Sequence, residues 1–213
     1  MNSQGLISPA HSLLRVYLIR HGETEWTRSA RYTGLTDIAL TARGEAEARD
    51  VGERIRNVSF ATVLTSPLQR ARQTCTHAAL TTPSAIDDDL TEWDNGDYEG
   101  HTAAEIYARD PAWNLFRDGG PNGESPAQIS ARADRLIARL RTLEGNVALF
   151  SHGHLGRVLG ARWIGLHVEQ AQRLLLGTAS ISILAYEHNR LDRPAIAVWN
   201  DLPGVADDRI DGR

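Results

Sequence analysis

The sequence predicts an α/β fold with a mostly parallel sheet, and two observations carry that expectation. Short apolar runs of strand length alternate with longer stretches of helical spacing along most of the chain. Two of the runs, "LIRHG" at Leu18 to Gly22 and "LFSHG" at Leu149 to Gly153, also end alike, in a histidine followed by a glycine. In open α/β sheets, ligands collect at the carboxyl ends of the strands, so paired endings of this kind mark one edge of the sheet.

Leu14 to Ile19 is the first strand. A helix is expected after Thr41, with Ala42, Ala46 and Ile55 loosely on one face. Ala61 to Thr65 reads as a second strand. In "SPLQRARQTCTHAAL", Ser66 can cap, Pro67 suits the first helical position, and Leu68, Ala71, Cys75 and Ala79 keep helical spacing. "TAAE" from Thr102 to Glu105 is a capping-box pattern opening a short helix. Ser125 and Pro126 start a longer helix with an apolar stripe of Ile129, Ala133, Leu136, Ile137, Leu140 and Leu143. Asn146 to Ser151 is another strand, followed by a turn and helix in "HGHLGRVLGARWIG". "SISILAY" and "AIAVW", joined by "EHNRLDRP", read as a closing hairpin. The loop from Asp87 to His101 and the segment Pro111 to Glu124, rich in Gly, Asp, Trp and Tyr, read as cover over a cleft.

The 213 residues suit one domain, with a core over about 14–200 and flexible ends. A net charge of −4 without a dense basic run argues against a general nucleic-acid binder. The lone cysteine, Cys75, rules out an intramolecular disulfide and a Cys-built zinc site. The N-terminal "MNSQGLISPAHSLL" lacks the basic start and apolar run of a signal peptide, and nowhere do 18 apolar residues run together. A cytoplasmic protein with no membrane partner is the expectation.

The chemistry concentrates at the strand ends. One strand-end histidine is ordinarily a turn residue, but His21 and His152 are two, and Arg20 adjoins the first. Arg70, near the start of the helix after the second strand, lies at the same edge. Two guanidinium forks and two imidazoles make a cationic pocket suited to a phosphoryl group. Transfer of that group needs an in-line nucleophile, which a neutral histidine supplies, and a proton for the leaving oxygen. The loop "LTEWDNGDYEG" offers four carboxyl groups for the proton: Glu92, Asp94, Asp97 and Glu99. Glu92 sits beside Trp93, and apolar surroundings would favour the protonated form an acid catalyst needs. Chemistry alone does not choose among the four.

Four motifs in order, "RHGETEW", "SPLQRARQT", "TEWDNGDYEG" and "FSHGHLGR", resemble the histidine phosphatase superfamily, also called phosphoglycerate mutase-like, over about Arg15 to Trp199. The resemblance implies a three-layer α/β/α sandwich, with His21 as the phosphorylated nucleophile and Arg20, Arg70 and His152 around the phosphate. It implies Glu92 as the proton donor that later activates water. Arg20 and Arg70 would supply the positive charge that a divalent ion provides in other phosphoryl-transfer sites, so no metal and no cofactor are expected. The resemblance extends to Gly153 and to Thr33 and Gly34 in "RYTGLTD", which match a segment that often lines the pocket. Many members carry Asn where this chain has Thr27, whose hydroxyl can still donate, with shorter reach.

Around the proton donor, "EWDNGDYEG" differs from the "ERHYG" of phosphoglycerate mutases. It is more similar to the branch holding sedoheptulose-bisphosphatase-like enzymes and acid phosphatases. The implied activity is hydrolysis of small phosphorylated metabolites. The alternatives are a mutase, which would need a bisphosphate primer, and a non-catalytic module that binds a phosphorylated ligand. Trp93, Tyr98, Trp113 and Arg117, in the cover segments, are the expected selectors of substrate. "HGH" at His152 to His154 resembles a metal-binding pair, but no partner set of Asp and His lies at other strand ends; His154 is expected at the pocket mouth or capping the next helix. The resemblance leaves a homodimer open.

Overall fold

The structure, a computed structural model, describes residues 13–202. The expectations for the two ends, no leader at the first and a frayed tail at the last, lie outside the described residues. Six strands form one sheet in the order β3-β2-β4-β1-β5-β6: β1 (Arg15–Arg20), β2 (Thr62–Thr65), β3 (Ser84–Ile86), β4 (Asn146–Ser151), β5 (Ile181–Tyr186) and β6 (Pro194–Asp201). β1 to β4 run parallel, and β5 is antiparallel to both of its neighbours. The expected closing hairpin is therefore β5 with β6.

Alternation along β1 shows how the layers form, since successive strand side chains face opposite sides. Val16 and Leu18 join one core with Val147 and Leu149, under α6 (Pro126–Leu140) and α7 (Gly153–Trp163). Tyr17 and Ile19 join a second core with Ala148 and Phe150, under α2 (Ala42–Ile55) and α3 (Gln69–Ala78). The central strands β1 and β4 are thus buried on both faces, in the expected three layers, while the edge strands β3 and β6 are more open. Each fully buried Leu, Ile or Phe is worth about 1.5–3 kcal/mol of hydrophobic stabilisation. Among the described residues, no helix is long and apolar enough to cross a membrane.

The helix caps follow the sequence closely. Ser125 accepts from the Gln128 amide in a capping box, with Pro126 in the first turn of α6, and Thr102 does the same with Glu105 at α4 (Ala103–Tyr107). The α6 stripe is buried as expected, with Leu143 packed against it just beyond the helix end.

Three expectations change. Ala42 and Ala46 face outward on α2, and the buried face is instead Gly44, Glu47, Ala48, Val51 and Ile55. Gly44 sets that face, because a Cβ there would lie 2.1 Å from the Glu23 carbonyl oxygen in the loop after β1. Ser66 and Pro67 precede α3 and do not open it. Asp37, from a distant loop, accepts from the Gln69 amide at 2.7 Å and supplies the cap from across the chain. The two segments expected to cover the cleft pack their aromatics into the core. Trp93 is fully buried against Phe116, with its indole N–H on the Glu124 carbonyl. Trp113 is buried between Tyr32 and Tyr98, with its N–H on the Gly119 carbonyl.

Candidate active site

β1 and β4 are adjacent and in register, Arg20 opposite Ser151, so the residues that follow each strand emerge side by side. His21 and His152 therefore lie with ring centroids 5.3 Å apart. The β2 end adds Ser66, and α3 adds Arg70. At this edge opens a cavity of about 310 Å³ whose wall includes Arg20, His21, Glu92, Gly153, His154 and Arg157.

His21 is held in one tautomer. Its Nδ1 lies 2.7 Å from the Gly22 carbonyl oxygen, which can only accept, so Nδ1 carries the proton and Nε2 keeps its lone pair. Burial, then the charges of Arg70 and Arg20, push its pKa well below 6.5, against the Gly22 hydrogen bond. The ring is neutral at physiological pH. Gly22 itself is required, because a Cβ would lie 2.3 Å from the Gly44 carbonyl oxygen.

Arg20 is half-buried, and the loss of solvation lowers its pKa against the opposing charges of Glu92 and Glu47. It donates from Nη1 to the Leu176 carbonyl, and its buried Nε has no hydrogen-bond partner among the described residues. Its guanidinium lies flat against Gly153, where a Cβ would approach Cζ to 3.2 Å. Arg70 is completely buried and donates from Nε to His152 Nδ1 at 3.1 Å, and from the two terminal nitrogens to the Thr36 and Gly34 carbonyls. Burial draws its pKa down to about 10, so it stays charged at neutral pH. Because His152 Nδ1 accepts, its Nε2 donates to Ser66 Oγ at 2.7 Å. Arg70 and His152 thus form a buried layer beside the cavity wall rather than part of it.

Glu92 lines the cavity, but not in the apolar setting expected beside Trp93. Its Oε1 accepts from the Trp93 and Leu155 amides at 2.8 Å, and its Oε2 from the His154 amide at 3.0 Å. Two of these donors are free amides of the first turn of α7, so the carboxyl group sits at the positive end of that helix. Arg132, on α6, fixes the approach: it donates to the Asp89, Thr91 and Glu92 carbonyls while bidentate on Glu124. The sequence reading missed Arg132, because its role depends on α6 lying under the loop. Of the three other candidate acids, Asp94 binds the Gly96 amide, Asp97 binds the Asn122 side chain, and Glu99 binds the Leu35 and Thr36 amides. None of these three lines the cavity.

Thr27 and Thr33 line the cavity, but the Thr27 hydroxyl is engaged in a capping box with Thr24 at α1 (Glu25–Arg28), donating to the Thr24 carbonyl at 2.9 Å. Gly34 is absent from the wall and contributes through its carbonyl, which holds Arg70. Trp93 and Tyr98 were expected to touch substrate; Trp93 lies in the core, and Tyr98 packs edge-on against Trp113, away from the cavity. Arg117 is exposed and pairs with Asp118. His154 does reach the cavity, stacked on Tyr32 with ring centroids 5.5 Å apart. Among the described residues, no three His, Cys, Asp or Glu side chains come together as a metal site. Arg157, the last residue of "HGHLGR", also went unread, although its spacing three residues after His154 on a helix places the two on one face.

Two buried imidazoles, His21 and His152, and a half-buried one, His154, give the fold a pH dependence. The pKa values of His21, His152 and His154 are all lowered, chiefly by burial, that of His154 to about 4. Unfolded, each titrates near 6.5, so below that pH the unfolded chain binds more protons and stability falls as the solution is acidified. The urea midpoint is expected to drop between pH 6.5 and about 4. His154→Gln should flatten the part of that drop that belongs to His154. A midpoint that stayed level across the window would show that these rings are not buried neutral.

What fold and site define together is a class of phosphoryl-handling α/β protein built around a strand-end imidazole. The chain belongs to the histidine phosphatase superfamily (branch 1), whose family model matches residues 16–202. It is 34% identical to the sedoheptulose 1,7-bisphosphatase of Saccharomyces cerevisiae, over 85% of this chain and 91% of that protein. It is 38% identical to an acid phosphatase of Mycobacterium tuberculosis, over 82% and 87% respectively. A solved mycobacterial glucosyl-3-phosphoglycerate phosphatase superposes with a TM-score of 0.79 at 28% identity, over 88% of this chain and 98% of that one.

Proposed function

We propose that this chain is a phosphomonoesterase that hydrolyses small phosphorylated metabolites, sugar phosphates or bisphosphates, through a phosphohistidine at His21. The observation that carries the reading is the His21–Gly22 hydrogen bond, which leaves Nε2 unprotonated on a cavity wall shared with Glu92. His21 Nε2 attacks phosphorus, the ester P–O bond breaks, and Glu92 gives its proton to the departing oxygen. Water then attacks the phosphohistidine, Glu92 takes a proton from it, and inorganic phosphate leaves with His21 restored. Arg20 and Arg70 supply the positive charge that a divalent ion provides in other phosphoryl-transfer sites. The phosphatases among its relatives support this reading.

The test is phosphate release from a panel of sugar phosphates, bisphosphates, phosphoglycerates and nucleotides, each measured with and without EDTA. Net phosphate release that EDTA leaves unchanged is the expected result. Isomerisation of a phosphoglycerate without net release, dependent on a bisphosphate primer, would make the chain a mutase. Binding without turnover would make it a ligand-binding module. Loss of activity in EDTA, restored by one specific divalent ion, would overturn the metal-free chemistry.

A further inference from the structure

Five arginines and two glutamates line the cavity, and the arginines divide into two kinds. Arg28, Arg31 and Arg43 each answer to a carboxylate, at 2.8 Å from Glu25, 3.7 Å from Glu105 and 3.2 Å from Glu47. Arg20 and Arg157 have no carboxylate within ion-pair distance among the described residues. Arg20 adjoins the nucleophile and is accounted for by the reacting phosphoryl group. Arg157 has no such explanation.

Arg157 is 6% exposed, on α7, one helical turn beyond His154. Its Nε donates to the Ala171 carbonyl at 3.2 Å and one terminal nitrogen to the Gln172 carbonyl at 2.6 Å, while the guanidinium lies 4.5 Å above the Phe116 ring. These contacts fix the plane of the group and leave Nη1 without a partner among the described residues. Burial, then Arg20, lowers its pKa to about 10, so it is a cation at neutral pH. A buried cation without a counter-charge is costly to the fold, and an anionic guest removes that cost. Beside it, Tyr32 stacks on His154, whose buried Nδ1 has no hydrogen-bond partner among the described residues and lies 4.0 Å from Glu92 Oε2. Neither lining glutamate forms an ion pair with Arg157: Glu23 faces Arg43, and Glu92, whose charge acts on Arg157 only from beyond ion-pair distance, is held by three amides. The cavity is within the range of sites that enclose a whole small ligand.

We propose that Arg157, with Tyr32 and His154 beside it, is a second anion-binding subsite, so that the preferred ester carries a carboxylate or second phosphate besides the phosphoryl group that reacts. The inference rests on the phosphomonoesterase reading and narrows its substrate class. Two ester pairs test it on the full chain: 3-phosphoglycerate against glycerol 3-phosphate, and fructose 1,6-bisphosphate against fructose 6-phosphate. The wild type should favour the more anionic member of at least one pair by about tenfold or more in kcat/KM, as expected for a charged hydrogen bond. The pair that responds tells whether a carboxylate or a phosphate is read. Arg157→Leu should reduce that preference about tenfold, mainly through KM, and Arg157→Lys should restore part of it. No preference in either pair, or equal losses on both members, overturns the subsite. If Arg157→Leu does not fold, the wild-type ratios decide. If no ester is turned over, the phosphomonoesterase reading fails separately, and calorimetric titration of the same four compounds decides the subsite: tighter binding of a more anionic member supports it, and equal affinities overturn it.

Discussion

Replacing His21 by alanine is expected to abolish turnover, by about 10³-fold or more, because a covalent route loses its only nucleophile. The structure makes the assignment specific. His21 presents an unprotonated Nε2 at the cavity wall, whereas both ring nitrogens of His152 are engaged, one by Arg70 and the other by Ser66. Wild-type protein quenched in alkaline denaturant after mixing with labelled substrate should carry a phosphoryl group that acid removes and base does not. Proteolytic mapping should place it on His21. Label on His152, or His21→Ala retaining more than about 1% of activity, would refute the mechanism as written. The imidazole is buried, so thermal unfolding of the variant must show a folded chain before the loss is read as catalytic.

The second large effect is expected at Glu92, and it should depend on the leaving group. An alkyl ester departs as a poor alkoxide, and general acid help is typically worth ~10²–10⁴-fold. Glu92→Gln should lose about that much on a sugar phosphate, and much less on p-nitrophenyl phosphate, whose phenolate leaves unaided. Hydrolysis of the phosphohistidine could conceal the difference in steady state, so the informative measurement is the pre-steady-state burst on both esters. The glutamine variant has a second consequence. Its NH₂ group replaces one carboxylate oxygen among three backbone donors, so one N–H loses its acceptor at the start of α7. A modest stability loss is therefore expected alongside the kinetic one. Variants of Asp94, Asp97 and Glu99 serve as controls, and an alkyl-specific loss at any of them would transfer the acid role there.

The parts of the molecule governed by local chemistry were legible in the sequence. β4 and the caps at Thr102 and Ser125 are set by neighbours a few residues away, and they stand where the pattern places them. α3 begins later than Ser66 indicates because its cap, Asp37, comes from more than 30 residues upstream, beyond any local signal. The site followed the same division. His21, Arg20 and Glu92 meet at the cavity wall as the motif order implies. The destination of Trp93 could not be read, because an indole in a polar loop is core or wall according to what packs over it. Arg157 was missed for a related reason: a helical arginine is ordinarily a solvated one, and only the absence of a facing carboxylate distinguishes it.

The pairing of β1 with β4 also bears on how the protein comes into being. β1 precedes both of its neighbours in the sequence: α2, β2, α3, β3 and α6 all lie between it and β4, the strand that aims His152 beside His21, and β5, on the other flank of β1, is later still. Chain closure over so long a separation makes this pairing among the slower events of folding, well after α2 or α6 can form. Until it occurs, β1 is an apolar strand with two bare edges, the kind of segment that pairs with the wrong neighbour. The strand that carries the nucleophile is thus also the one most exposed to misassembly during synthesis, and recovery of activity on refolding reports when that strand has found both of its neighbours.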